Sequence, residues 1–135
     1  MGRLEKLISD FARALTRLDE SVSKTEQYKL TGEYSFYRDS SIQRFEFTFE
    51  IFWKTLRAFL ERDGIICRSP RSCIREFFSL GLISEEEIQI LFRMLEDRNL
   101  TVHTYLEEIA EEIYSRLGEY VGLLKDIKGK IESYK

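Results

Sequence analysis

Residues 42–64, "IQRFEFTFEIFWKTLRAFLERDG", decide the fold class, because apolar residues recur there at helical spacing without a break. The main stripe steps by three and four positions through Ile42, Phe45, Phe49, Phe52, Leu56 and Phe59. That period is typical of an amphipathic helix, and we predict one over residues 42–62. Phe47, Ile51 and Trp53 widen the apolar surface beyond one stripe, which indicates packing against two partners, with a second subunit as one candidate.

Helix-ending residues flank this stretch. Asp39, Ser40 and Ser41 are candidate N-caps, and Gly64 is a candidate stop. Upstream, a second helical stripe runs through Leu4, Leu7, Ile8, Phe11, Leu15, Leu18 and Val22. Residues 23–39 lose this period and contain turn-forming residues, so we predict a long connection between the first two helices.

Two shorter helices are predicted downstream. Pro70 suits a first helical turn and Gly81 a helix end, which gives a short helix over residues 70–80. Ser84 and Glu87 form the S-x-x-E pattern of a capping box and open the next helix.

The last helical period extends over residues 101–134, with Gly118 and Gly122 as candidate break points. The chain therefore predicts an all-α fold, an antiparallel bundle of about five helices, as a single domain over residues 1–135.

Composition restricts the class of protein. The chain has 135 residues, of which 43% are hydrophobic and 33% charged, as in a folded soluble domain. A net charge of −3 disfavours broad nucleic-acid binding, which usually needs a strongly basic face, although Arg62, Arg68, Arg71 and Arg75 cluster in sequence. No apolar run approaches the roughly 20 residues that span a bilayer, and no secretory leader opens the sequence. We expect a cytoplasmic protein with no membrane association.

Metal and thiol chemistry are also restricted. Cys67 and Cys73 lie six positions apart, and with His103 as the single histidine they cannot complete a zinc site within one chain. We expect free, buried thiols rather than a disulfide. Glu46 and Glu50 share a helix face, which we interpret as solvated or arginine-paired, with Arg75 or Arg98 as candidate partners of Glu46. No metal site is predicted.

The segment "DRNLTVHTY" at residues 97–105 contains that single histidine. In an uninterrupted helix, Arg98 and His103 would point about 140° apart, which is unsuitable for joint action on one small group. Asn99, Thr101 and Thr104 are all capping residues, and Thr104 with Glu107 is a second capping-box candidate. We therefore predict a chain break between Asn99 and Thr104.

A new helix beginning near His103 would favour a bound phosphate and a neutral imidazole able to act as a base. The alternative is purely structural. His103 would then be partly buried, Arg98 would pair with Asp97 or Glu96, and Tyr105 would lie in the core.

Two stretches carry a family resemblance. "RNLTVHTY" resembles the R-x4-H-x-Y signature of HEPN-domain proteins, with Arg98, His103 and Tyr105 at its three positions and Asn99 directly after the arginine. Residues 42–65 and "SPRSCIREFFSLGLI" at 69–83 are similar to the HEPN subfamily called nucleotidyltransferase substrate-binding proteins. The resemblance covers roughly residues 38–117.

The resemblance implies a helical bundle that forms a homodimer or higher oligomer and partners a separately encoded minimal nucleotidyltransferase. Some members of the wider family, the HepT toxins, cut RNA without a metal or cofactor. Their nucleotidyltransferase antidote attaches AMP to the motif tyrosine, which is Tyr105 here. Two further functions stay open: a non-catalytic subunit that presents a nucleotide or other substrate to the partner enzyme, and a helical interaction protein.

For RNA cleavage, the family motif implies the following roles. His103 would take the 2′-hydroxyl proton, and Arg98 would hold the phosphate oxygens as negative charge develops. Asn99 would orient the imidazole or donate to phosphate. A leaving-group acid is missing from one chain, and a two-fold dimer would bring a second copy to the cleft. AMP on Tyr105 would add bulk and negative charge where the RNA phosphate must lie.

Overall fold

The computed structural model describes residues 2–134 as a bundle of α-helices. In chain order these are α1 (Arg3–Gln27), α2 (Tyr34–Glu61), α3 (Pro70–Ser79), α4 (Glu85–Leu100) and α5 (Glu107–Tyr134), with a 3-10 turn at Thr101–His103 between the last two. The described residues contain no strand, so the predicted all-α bundle of five helices is confirmed. None of these helices combines the length and apolarity that crossing a membrane requires.

Cross-helix contacts define the directions of the long helices. Thr25 Oγ1 lies 3.0 Å from Ser41 Oγ, and Thr55 Oγ1 donates to the Leu7 carbonyl at 3.5 Å, so α1 and α2 run antiparallel. The Tyr114 hydroxyl of α5 donates to the Glu26 carboxylate near the end of α1. Helix α5 is thus antiparallel to α1 and parallel to α2.

The aromatic stripe of α2 forms the centre of the core. Phe45, Phe49 and Phe52 have no solvent exposure, and each buried ring stabilises the fold by about 2–3 kcal/mol. The Phe45 ring stacks on Tyr120 of α5 at 5.6 Å, and the Phe52 ring lies 5.7 Å from Phe11 of α1. Helix α2 contacts all four other helices, which confirms that its wide apolar surface packs against more than one partner.

The predicted long connection at residues 23–39 is wrong. Helix α1 continues to Gln27 and α2 already begins at Tyr34, so Asp39, Ser40 and Ser41 lie inside α2 and do not cap it. The apolar period fades there because the inward positions are polar. Thr25 and Ser41 are buried against each other, and buried Arg38 is paired with acids.

The remaining helix ends follow the local signals. Ser84 and Glu87 form the predicted capping box, and α3 spans nearly the predicted range. Gly64 and Gly81 both have φ of +77°, the left-handed conformation that glycine adopts without strain and that ends a helix. Helix α5 passes through Gly118 and Gly122 without a break.

The two cysteines form a disulfide, so the prediction of free thiols is wrong. The Cα atoms of Cys67 and Cys73 lie 5.1 Å apart. Ser69 caps α3 through a reciprocal capping box with Ser72, and Pro70 starts the helix, so the chain turns back and its first turn brings Cys73 over Cys67. The spacing of the two cysteines in the sequence does not reveal this turn, so it did not predict the disulfide.

Reduction of this disulfide is expected to lower the free energy of unfolding by about 2 kcal/mol, because the bond closes a short loop in the unfolded chain. Urea unfolding with and without dithiothreitol measures the effect. The double variant Cys67→Ala/Cys73→Ala should be insensitive to the reductant. Identical unfolding curves of the wild-type protein in both conditions would contradict the prediction.

Candidate functional site

The R-x4-H-x-Y motif occupies the connection between α4 and α5. The predicted chain break is confirmed, since α4 ends at Leu100 and a single 3-10 turn follows. Thr101 Oγ1 donates to the Arg98 carbonyl at 2.7 Å, and Thr104 Oγ1 donates to the Thr101 carbonyl at 2.9 Å. Each of these carbonyls also accepts a backbone N–H, so the hydroxyls add a second hydrogen bond at the helix end.

Helix α5 begins later than predicted. Its first residue is Glu107, four positions after His103. Within residues 2–134 no hydrogen bond joins Thr104 to Glu107, whose carboxylate pairs with Arg38 instead, so the predicted capping box does not form. His103 and Tyr105 therefore lie in the connection between the two helices rather than in the first turn of α5, whereas Arg98 belongs to α4.

Arg98 lies half-buried in the last turn of α4 and is anchored to α2. Its Nη2 donates to Glu50 Oε2 at 2.7 Å, and Lys54 lies 3.4 Å from the other oxygen of the same carboxylate. Burial would raise the pKa of Glu50, but the nearby indole N–H of Trp53 and the charges of Arg98 and Lys54 outweigh it and lower that pKa. The carboxylate thus stays ionised and fixes the guanidinium.

This pairing corrects one expectation and confirms another. Arg98 pairs with neither Asp97 nor Glu96, since its carboxylate partner is Glu50 on α2. The arginine-paired face predicted for Glu46 and Glu50 is found at Glu50, whereas Glu46 has no ion pair within residues 2–134.

The Asn99 side chain contacts Arg98 rather than His103. Its Oδ1 accepts a long hydrogen bond of 3.4 Å from Arg98 Nη1, and its side chain is exposed. From Arg98 to His103 the backbone advances by about 8–10 Å along the helix axis, since the rise is about 1.5–2.0 Å per residue in α and 3-10 helices. No hydrogen bond joins these two side chains in the described chain.

His103 and Tyr105 form an exposed aromatic pair. Their ring centroids lie 6.0 Å apart at an interplanar angle of 66°, and Tyr105 is 77% exposed. His103 is also exposed. The purely structural alternative, with a partly buried histidine and a core tyrosine, is therefore wrong.

Exposed apolar side chains surround this pair. Val102 is 72% exposed and Leu106 47%, and Leu100 is also partly exposed at the end of α4. We call Leu100, Val102, Tyr105 and Leu106 the apolar rim. Apolar side chains clustered on one surface turn are typical of a protein contact site.

A buried ion pair holds the α4 side of this turn. Asp97 is 2% exposed and accepts two hydrogen bonds from the Arg116 guanidinium, at 2.7 and 2.8 Å. The Tyr120 hydroxyl donates to the same carboxylate at 2.5 Å. Burial and this hydrogen bond raise the pKa of Tyr120. The network locks the last turn of α4 to the middle of α5.

A second ion pair holds the α5 side. Arg38, 2% exposed, makes a two-point contact with Glu107 at 2.7 and 3.0 Å and lies 3.4 Å from Glu111. This contact fixes the first residue of α5 against α2. Both ends of the motif turn are thus fastened to the bundle.

Sequence reasoning predicted an arginine-paired face at Glu50 but missed Asp97 and Arg38 as positioning residues. For Asp97 a signal was present, because a carboxylate three positions after Met94 falls on the apolar face of α4. Arg38 gave no comparable signal, since it lies where the helical period is lost.

Comparison with known proteins gives the family. A family model described as "Nucleotidyltransferase substrate binding protein like" matches residues 6–133. The chain belongs to this family.

This family member is similar to a curated relative over part of its length. The two are 29% identical over 86 residues, and the relative is the "Probable ribonuclease HepT" of Haemophilus influenzae; the match covers 60% of this chain and 58% of that protein. The match thus spans less than two thirds of the curated relative.

Two solved structures have the same fold. A Thermus thermophilus protein, 37% identical, matches with a TM-score of 0.71 over 84% of this family member and 98% of its own chain. The tri-AMPylated HEPN toxin of Shewanella oneidensis, solved in complex with its MNT antitoxin, is 18% identical with a TM-score of 0.61, over 96% and 99% of the two chains. The bundle is therefore a HEPN fold.

Proposed function

We propose that this protein is a HepT-like toxin, a metal-independent ribonuclease that a partner nucleotidyltransferase silences by transferring AMP to Tyr105. One observation carries the proposal: Arg98, at the end of α4, and the exposed His103 and Tyr105 lie close together in sequence on a connection whose two ends are held by the ion pairs of buried Asp97 and buried Arg38. An anchored cation, an exposed base and an exposed phenol are the groups that cleavage and its control require. The ribonuclease name of the Haemophilus influenzae relative supports the same activity.

The cleavage step uses a nucleophile that RNA itself supplies. The His103 imidazole accepts the 2′-hydroxyl proton while the 2′-oxygen forms a bond to the adjacent phosphorus. The bond from phosphorus to the 5′-oxygen breaks, which leaves a 2′,3′-cyclic phosphate and a 5′-hydroxyl end. The leaving oxygen takes its proton from the imidazolium of a second copy in a homodimer. The first imidazolium then gives its proton to water and the second imidazole takes one from water, so both groups return to their starting states.

Arg98 stabilises the phosphate during this step. A guanidinium has five N–H donors, and Glu50 and Asn99 use two of them, so three are left for the non-bridging oxygens. Since Glu50 fixes the group before substrate arrives, little reorganisation is needed as negative charge builds. Asn99 steadies the Arg98 fork through its side-chain oxygen.

AMP transfer to Tyr105 would switch this site off. An adenylyl group on that phenol adds a negative phosphate beside His103, and the Tyr105 and His103 rings lie only 6.0 Å apart. The apolar rim, which includes Tyr105, suits the contact with the nucleotidyltransferase. The Shewanella oneidensis HEPN toxin, itself tri-AMPylated and bound to an MNT antitoxin, supports such a partner. We place both proteins in the cytoplasm.

Modification of Tyr105 is directly measurable. We expect that incubation with the partner nucleotidyltransferase, ATP and magnesium adds adenylyl groups with release of pyrophosphate, and that RNA cleavage falls in proportion. Intact-mass measurement counts the groups. In Tyr105→Phe the first addition should be lost, while Tyr134→Phe, which removes another exposed phenol, should be modified like wild type. Full modification of the Tyr105→Phe variant would remove Tyr105 from the mechanism.

A second function would use the same site. The free donors of the Arg98 guanidinium would hold a nucleotide phosphate without any cleavage of RNA. The chain would then be a non-catalytic subunit that presents substrate to the nucleotidyltransferase. RNA incubated with purified protein in EDTA separates the two functions. Cleavage supports the toxin, and an intact RNA together with nucleotide binding supports the binding subunit.

A further inference from the structure

A surface groove between α1 and α2 is separate from the motif turn. It consists of two adjoining depressions of about 400 and 490 Å³, and Arg17 and Arg44 line both of them. We call this feature the α1–α2 groove and define it by Arg13, Arg17, Lys24, Tyr37, Arg44 and Phe47.

The groove has a surplus of positive charge in an otherwise acidic chain. Arg17, Lys24 and Arg44 form no ion pair with any residue from 2 to 134. Of the two acids that line the groove, Asp10 is already paired with Lys6 and Arg13, and only Glu20 is left. The whole chain carries a net charge of −3, so this concentration of unpaired cations is local. It suits an anionic ligand.

One exposed and one half-buried aromatic side chain accompany the cations. Phe47 is 58% exposed at one end of the groove, and Tyr37 lines the other end, stacked on Tyr28 at 4.3 Å. A basic groove with flanking aromatic faces is the arrangement that binds single-stranded nucleic acid, since phosphates meet the cations and bases stack on the rings.

The dimensions and position of the groove fit a strand that leads to the motif. Arg13 and Lys24 are about 16 Å apart along α1, which leaves room for several successive phosphates. Phe47 lies on α2 one turn before Glu50, whose carboxylate holds Arg98. Helix α2 thus has the groove on one face and the anchor of the candidate catalytic arginine on the adjacent face.

We infer that the α1–α2 groove binds the backbone of single-stranded RNA and guides that strand toward Arg98 and His103. This inference rests on the proposed ribonuclease function. The contacts are to phosphate and to base faces, so binding in the groove is independent of base sequence. The contribution of the groove to RNA affinity should then depend on the length of the RNA rather than on its sequence.

The test uses the Arg17→Gln/Arg44→Gln variant and a fluorescent 2′-O-methyl RNA, which binds but cannot be cleaved through its 2′-oxygen. We expect the Kd to rise at least about ten-fold. The slope of log K against log salt concentration should become shallower by about 1.4, because two phosphate contacts are lost. The matched control is Arg62→Gln/Arg68→Gln, which removes the same charge from exposed side chains elsewhere and should bind like wild type. Circular dichroism verifies the fold of both variants.

Cleavage kinetics provide a second readout. A long RNA should show a KM raised about ten-fold in the groove variant, whereas kcat/KM for a dinucleotide, which is too short to reach the groove, should change less than about two-fold. If the protein cleaves and binds RNA equally well with and without Arg17 and Arg44, the groove does not bind RNA. The proposed ribonuclease function would then remain intact.

Two other outcomes would also overturn the inference. Wild-type protein that binds no 2′-O-methyl RNA excludes the groove as an RNA site. Loss of nucleotidyltransferase binding in the groove variant, with RNA binding unchanged, would make the groove a protein interface. If the groove variant loses RNA binding but wild-type protein never cleaves RNA, the groove stands and the proposed ribonuclease function fails.

Discussion

Replacing His103 with alanine is expected to lower RNA cleavage by about 100-fold to 10,000-fold, the range that a positioned general base supplies. In the proposed mechanism the exposed imidazole takes the 2′-hydroxyl proton. Because His103 is exposed, its removal should leave stability nearly unchanged. Cleavage of a labelled RNA in EDTA, followed by gel electrophoresis, measures the rate.

The matched control for this experiment is Val102→Ala in the same 3-10 turn. Val102 is 72% exposed, so the change removes a neighbouring side chain of the turn without touching the imidazole. We expect its cleavage rate to stay within a few-fold of wild type. Undiminished cleavage by His103→Ala would exclude the imidazole as the base, and equal losses in both variants would point to a damaged turn instead.

The second large effect is expected at Asp97. The Asp97→Ala variant should lose about 3 kcal/mol in free energy of unfolding, because removal of one partner leaves the Arg116 charge and the Tyr120 hydroxyl without the carboxylate they share. Arg116 retains some solvent contact, which keeps the cost at the lower end of the range for buried pairs. Urea unfolding monitored by circular dichroism gives the value.

Glu119→Ala is the surface counterpart of this variant. It removes the carboxylate partner of Arg93 on the same two helices, but Glu119 is half exposed, so less than about 1 kcal/mol should be lost. Asp97→Asn, which keeps the shape of the side chain, should fall between the two alanine variants. Equal stability losses in Asp97→Ala and Glu119→Ala would show that burial of the Asp97 pair contributes nothing.

The fold followed from sequence wherever the inward-facing residues are apolar. The stripe from Ile42 to Phe59 and the Ser84–Glu87 capping box predicted their helices because period and cap are local properties. The prediction failed between residues 23 and 39, since the pairing of Thr25 with Ser41 and of Arg38 with Glu107 depends on distant parts of the chain. The disulfide was missed for a similar reason, because a turn geometry decides it.

The chain break at the candidate site was predictable from the sequence, but the contacts that support the site were not. The motif spacing and the capping threonines placed a break at the right position, and the structure has a 3-10 turn there. The tie from Arg98 to Glu50 joins residues 48 positions apart, and no local pattern encodes such a pair. A carboxylate on an apolar helix face, as at Asp97, is the one supporting feature that sequence inspection can detect.

Because the α4–α5 connection is held at Asp97 and at Glu107, its sequence can be exchanged while the flanking helices stay in place. The side chains from Val102 to Leu106 contribute little to the core, so grafting the corresponding segment from a relative should leave folding intact. Exchanging such connections between homologues would transfer any preference for a particular cut or a particular antidote without rebuilding the helices beneath.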